Sequence, residues 1–246
     1  MDRSLYLAMT GARQVLKAQA ANSHNLSNAS TTGFRAELQN FTSRPVNGPG
    51  LASRAYATAD SAGIDLRGGQ LVATGRSLDV AVDGQGLLAV QREDGGEGYT
   101  RAGDLRVGTG GLLETANGHL VLGDDGPIAV PPAEDVEIGR DGTISVLPLG
   151  QPANARVVLD RIKLVNPQAS ELVRAPNGLL ALRDGGTSPA DAAVTLASGS
   201  LESSNVSPAE ALVKMVTLAR QFELHTRVMK AAEDNDAAST RLMSLQ

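Results

Sequence analysis

The sequence predicts an α+β protein in which a discontinuous, coiled-coil-like α-helical domain, built from the N- and C-terminal ends together, accompanies a central, mainly antiparallel β domain. Three observations predict this. Of the 27 glycines, residues 1–44 hold only Gly11 and Gly33 and residues 207–246 hold none, so both ends suit helix and the middle does not. Apolar residues recur at spacings of three and four at both ends, as a helical seam requires. The middle carries eight Asx-Gly pairs, which supply the positive-φ positions of tight hairpins.

Residues 1–41 are expected to form an N-terminal helix and a following loop that pair with residues 205–246. Leu5, Met9, Ala12, Leu16, Gln19, Ser23 and Leu26 mark a seam over roughly residues 2–28. The helix should end near Asn28, where Ala29, Ser30, Thr31, Thr32 and Gly33 favour a loop. Residues 42–64, with Pro45 and Pro49, read as an extended connector. The central β domain is expected over 65–204, with strands at Leu78–Val82, Leu87–Gln91, Asp104–Val107, Leu112–Thr115, His119–Leu122, Thr143–Leu147, Val157–Val165 and Leu179–Leu182. The last element, 205–246, is a long helix. Ser207, Pro208 and Glu210 stand as N-cap, first-turn proline and capping-box acid. Behind them Ala211, Met215, Leu218, Phe222, His225, Met229 and Ala232 hold one seam. Each end helix must bury its seam against the other end or against neighbouring copies.

Composition narrows the function. The net charge is −5 and the six aromatics are scattered, the wrong sign and too few rings for a nucleic-acid surface. Zero cysteines exclude thiolate zinc sites, disulfide scaffolds and cysteine nucleophiles. No apolar run reaches the length of a membrane span, and no secretory signal is visible at the N-terminus. Charge is uneven, with +3 in residues 1–44, zero in 207–246 and −8 between them.

No catalytic, cofactor-binding or metal site is expected, and the chain is not read as an enzyme. His24, His119 and His225 fall on different elements without metal-ligand spacing, and no Gly-x-Ser-x-Gly elbow occurs. Gly84-Gln85-Gly86 and Gly108-Thr109-Gly110-Gly111 open no helix, so they read as turns rather than phosphate loops. Asp124-Asp125-Gly126 lacks the alternating ligands of a calcium loop.

At Asn25-Leu26-Ser27-Asn28-Ala29-Ser30-Thr31-Thr32-Gly33-Phe34-Arg35 the sequence resembles the N-terminal signature of bacterial flagellar axial proteins, the rod, hook and hook-associated family. Leu78–Gly86, Tyr99–Gly103 and Gly111–Gly118 are similar to that family's central β region, and Leu201-Glu202-Ser203-Ser204-Asn205-Val206 to its C-terminal signature. One departure is visible: Leu87-Leu88 stands where the family usually has an aromatic after the Gly-x-Gly turn.

The resemblance implies a structural subunit of the flagellar basal-body rod, polymerising through its terminal helices into the torque-transmitting shaft around the export channel. It implies self and other flagellar rod proteins as partners, passage through the flagellar type III export apparatus without a cleaved signal peptide, and no nucleic acid, membrane insertion or cofactor. A distal-rod or hook-type role, or a non-catalytic β-rich binding module, is the alternative reading. The residues expected at the assembly interface are Asn25, Leu26, Asn28, Thr32, Gly33, Phe34, Leu201, Glu202, Asn205, Val206, Met215, Leu218, Phe222 and Met229.

Overall fold

The computed structural model describes residues 3–45, 55–152, 154–175 and 177–244. Helix α1 (Arg3–Ser27) is followed by β1 (Glu37–Pro45), β2 (Ala55–Ile64), β3 (Leu71–Ala73), β4 (Val80–Asp83), β5 (Leu87–Gln91), β6 (Glu97–Thr100), β7 (Leu105–Val107) and β8 (Leu113–Thr115). Then come β9 (Ala133–Ile138), β10 (Thr143–Pro148), β11 (Val157–Arg161), β12 (Leu164–Val165), β13 (Leu172–Arg174), β14 (Leu180–Leu182), β15 (Thr195–Ser198) and β16 (Ser200–Glu202), and α2 (Pro208–Ser244) closes the chain. The class is α+β, as expected. The chain forms two compact units: a helical unit of α1, residues Glu37–Ala62 and α2, and a β unit of Asn28–Ala36 with Gly63–Val206.

In the helical unit, α1 and α2 run antiparallel. Asn22 Nδ2 donates to the Ala211 carbonyl at 2.8 Å, while Gly11 lies against the His225 ring eleven residues earlier on α1. The inward face of α1 is small: Ala8, Gly11, Ala12, Val15, Ala18, Asn22 and Asn25 are buried. This corrects the seam expected from the sequence, because Met9 and Leu16 are about half exposed. Large apolar side chains would hold the helices apart; small ones allow close approach, and α2 supplies the bulk. The seven seam positions expected on α2 are its non-exposed ones over 211–232. The helix begins as anticipated, with the Glu210 amide donating to Ser207 Oγ at 3.4 Å and the Ala211 amide to the Ser207 carbonyl at 3.0 Å.

The expected connector is a two-stranded ribbon in its described parts, since β1 pairs with β2 and Thr42 and Thr58 join their hydroxyls at 2.8 Å. The intervening stretch, 46–54, with Asn47-Gly48, lies outside the described residues. Asn25 anchors the ribbon's start to the end of α1, its Oδ1 accepting from the Glu37 amide and its Nδ2 donating to the Glu37 carbonyl, each at 2.9 Å.

The β unit is built on a five-stranded sheet in the order β12-β5-β6-β14-β13, with a three-stranded sheet β11-β10-β9 and the pairs β15-β4, β16-β3 and β7-β8. Every pairing described residue by residue is antiparallel. Strand β5 explains why its sequence is continuously apolar. Leu88 and Val90 enter a core with Val80, Leu105, Leu113, Ile128, Ile144 and Leu196, whereas Leu87 and Ala89 enter a second core with Ile64, Tyr99, Val165, Leu172 and Leu180. A strand buried on both faces needs no polar alternation. The leucines at 87 and 88 thus fill one core each. Tyr99 is fully buried with its hydroxyl satisfied by the Ser188 amide at 2.8 Å.

Two expected strands differ. His119–Leu122 is only bridged, at Leu120, Val121 and Leu122, and Val157–Val165 is broken into β11 and β12 where the Ile162 and Lys163 amides turn to the Gly142 and Leu122 carbonyls.

Candidate functional site

Fourteen residues were expected at an assembly interface, and the structure places them in two groups. Gly33, Phe34, Leu201, Glu202, Asn205 and Val206, together with Asn28 and Thr32, lie in the β unit. Asn25, Leu26, Met215, Leu218, Phe222 and Met229 lie in the helical unit.

In the β unit, the loop after α1 and the segment before α2 are laced side by side. Gly33 donates to the Glu202 carbonyl at 2.7 Å, and Asn205 to the Phe34 carbonyl at 3.3 Å. Gly33 has φ +66°, and a Cβ there would stand 2.2 Å from the Arg101 carbonyl carbon; conformation and space both require glycine. Glu202 is 2% exposed and bridges two buried guanidiniums, Oε1 accepting from Arg35 Nη2 at 2.7 Å and Oε2 from Arg101 Nη1 at 2.9 Å. Its Oε1 also accepts from the Gly69 amide at 2.8 Å. Arg101 completes its fork on the carbonyls of Gly84, Gly86 and Val82. Burial lowers the Arg101 pKa from its ordinary value, Glu202 raises it and Arg35 lowers it again. Arg174 stacks on the Phe34 ring, 4.6 Å from its centroid, and donates to the Arg35 carbonyl. Asp65, close to Arg35, has its pKa lowered chiefly by hydrogen bonds from the Arg67 side chain.

The Asn205 side chain ties two further segments of the unit to the one that leads into α2. Its Oδ1 accepts from the Ala36 amide at 2.8 Å and its Nδ2 donates to the carbonyls of Asp65 at 2.9 Å and Arg67 at 3.1 Å. Arg35, Arg101 and Arg174 were not among the expected site residues. Arg35 and Arg101 stand inside the quoted signature blocks, but nothing local to either says that both reach one carboxylate. Ser204 caps the exit, its Oγ accepting from the Val206 amide at 3.2 Å.

In the helical unit, Leu218 forms a small core with Val15 and Ala18, and Phe222 packs against it. Met215 and Met229 share that seam and are half-buried. The face of α2 turned away from this seam carries Leu212, Val213, Val216, Leu224 and Val228, each at least half exposed, interspersed with exposed Arg220, Glu223 and Arg227. On α1 the matching outward residues are Tyr6, Met9 and Leu16, interspersed with exposed Arg13 and Lys17. A helix that exposes five Leu and Val side chains opposite its buried seam offers a second surface for a partner. Among the described residues no three His, Cys, Asp or Glu side chains gather at metal-binding distances, and no helix is long and apolar enough to cross a membrane.

Two family patterns match the chain: the one described as flagellar basal body rod FlgEFG protein C-terminal, over residues 197–242, and the one described as flagellar hook protein FlgE/F/G D1 domain, over 81–146. The chain is 43% identical to flagellar basal-body rod protein FlgF of Salmonella typhimurium and 42% identical to that of Escherichia coli K12, in both cases over the whole of each chain. It is 30% identical to flagellar basal-body rod protein FlgG of Buchnera aphidicola from Acyrthosiphon pisum, over 95% of this chain and 96% of the other.

Proposed function

We propose, since this chain belongs to the family of flagellar basal-body rod protein FlgF, that it is a structural, non-catalytic subunit of the bacterial basal-body rod, assembling with itself and with other rod proteins through the outward faces of α1 and α2. The observation that carries the assembly surface is the outward face of α2, where Leu212, Val213, Val216, Leu224 and Val228 stay at least half exposed among the described residues. Met215, Leu218, Phe222 and Met229 act one step behind it, fixing the helix pair that presents this face.

Magnitudes favour a polymer over a dimer. Covering five half-exposed Leu and Val side chains gives about 4–7 kcal/mol, which only matches the lower part of the ~4–15 kcal/mol cost of association. One such contact leaves subunits apart in dilute solution. Several per subunit, made head to tail, hold a helical tube together and share torsional load. The helical unit's own core is mostly alanine, with Val15 and Leu218 its only larger fully buried apolar residues among those described. It therefore opens readily before assembly, which suits passage through the flagellar type III export apparatus without a cleaved signal peptide.

The test separates the two faces of α2. Leu224→Asp is expected to leave the purified chain's melting and helix content unchanged and to abolish its recovery in isolated basal bodies, because an unpaired carboxylate buried at an interface costs several kcal/mol. Phe222→Asp is expected to reduce helix content in the monomer itself. Motile cells carrying Leu224→Asp as the sole copy would remove this surface from the assembly.

A further inference from the structure

We propose that the Asn205 side chain is the pin that fixes the chain's exits from the β unit, a positioning residue for torque transmission; this rests on the rod-subunit reading above. The chain crosses between its two units four times, after Ser27, Ala36, Ala62 and Val206. A shaft subunit passes torsion along the chain through these crossings, and four independent single strands would twist before they transmitted load.

Three of the four meet at one amide. Asn205 lies next to the exit at Val206, its Oδ1 takes the amide of Ala36 at the second crossing, and its Nδ2 reaches the Asp65 and Arg67 carbonyls just inside the third. Its own amide joins the Phe34 carbonyl in the segment between the first and second crossings. The geometry demands one acceptor and two donor hydrogens from one short, planar group, which asparagine provides. Aspartate keeps the acceptor for Ala36 and turns a second oxygen against two carbonyls. Asn205 is only half-buried and belongs to neither apolar core of the β unit, so its bonds tie the exits without building the interior.

The buried carboxylate of Glu202 prepares the site. By holding Arg35 and Arg101 at 2.7 and 2.9 Å it fixes the end of β16, three residues before Asn205. The Asp65–Arg67 ion pair at 2.6 Å holds the third crossing with its carbonyls toward Nδ2.

The experiment uses full-length Asn205→Ala and Asn205→Asp. In both, the β-unit transition is expected to fall by less than about 10 °C, while amide exchange at Ala36 accelerates more than about tenfold in Asn205→Ala, where its acceptor is lost, and less in Asn205→Asp. In cells carrying either variant as the sole copy, its amount in isolated basal bodies is expected to match wild type, and swimming to be lost selectively in viscous medium. Unchanged exchange at Ala36 in both variants overturns the pin. So does a β-unit transition lowered by more than about 10 °C in both, which would make Asn205 a core structural residue, and so does full swimming in viscous medium despite faster exchange. Absence of the variants from basal bodies that contain the wild-type chain would move the role to assembly and also overturn it. Absence of the wild-type chain itself from basal bodies refutes the rod reading and the load, and leaves the exchange result to decide whether the pin holds the crossings.

Discussion

Replacing Glu202 by alanine removes the one carboxylate shared by two guanidiniums that are 2% and 3% exposed. Arg101 would keep its carbonyl partners at Gly84, Gly86 and Val82, so its loss is partial. Arg35 would keep only the neighbouring charge of Asp65, its Nε and Nη1 having no acceptor among the described residues, and the Gly69 amide would lose its partner. Breaking one side of a buried ion pair costs about 3–5 kcal/mol, chiefly because the remaining charge is stranded. For a domain of roughly 150–250 residues each kcal/mol moves the midpoint by about 2–4 °C, so the β-unit transition should fall by about 6–20 °C. Calorimetry of the full chain reads this directly. Glu202→Gln should recover part of the loss, because its oxygen serves one arginine while its amide hydrogens face the other. A midpoint lowered by less than about 3 °C in Glu202→Ala would show that water or a nearby carbonyl replaces the carboxylate, and the reasoning about the laced exits would fail with it.

Further outcomes follow from the same structure. Asp104 has its pKa raised from 3.8, first by burial and also by Asp79; its folded form holds a proton more tightly than its unfolded form. Its contribution is therefore complete below the unfolded value and is lost as pH rises through the folded one, so Asp104→Asn should melt higher than wild type at neutral pH and converge with it in acid. Gly33→Ala and Gly118→Ala both place a side chain at positive φ, but only position 33 also collides with backbone. The second should cost about 1–2 kcal/mol, the first distinctly more, measured by denaturant titration. Gly11→Val should drive the His225 ring, which lies 2.4 Å from the position of a Cβ, out of the helix interface and lower helix content without shifting the β-unit transition.

What the sequence made legible depended on how local the cause was. The α2 seam and the Ser207 start could be read because spacing and capping are set within a few residues. The α1 seam was misread through Met9 and Leu16, because large apolar residues look like core although the tight pairing selected Ala8, Gly11, Ala12 and Ala18. Strands such as Glu97–Thr100 and Ala133–Ile138 were missed because glycine or acidic residues mask the alternation, and their pairing is decided by partners elsewhere. The bridge from Glu202 to Arg35 and Arg101 was invisible for the same reason: Arg35 and Glu202 are 167 residues apart, and no local pattern announces a contact of that span. Their blocks were recognisable only through resemblance, which marks the residues and leaves open that Glu202 and Asn205 act inside the chain.

In the assembled rod, neighbouring subunits are expected to cover the outward face of α2 while its inward seam stays within one chain. Photo-crosslinking amino acids placed singly at Val216, Leu224, Met215 and Phe222, followed by irradiation of cells and isolation of basal bodies, test it directly. Adducts between subunits are expected from positions 216 and 224, and only intrachain links to α1 from 215 and 222. Adducts between subunits from 215 and 222, with none from 216 and 224, would contradict this arrangement.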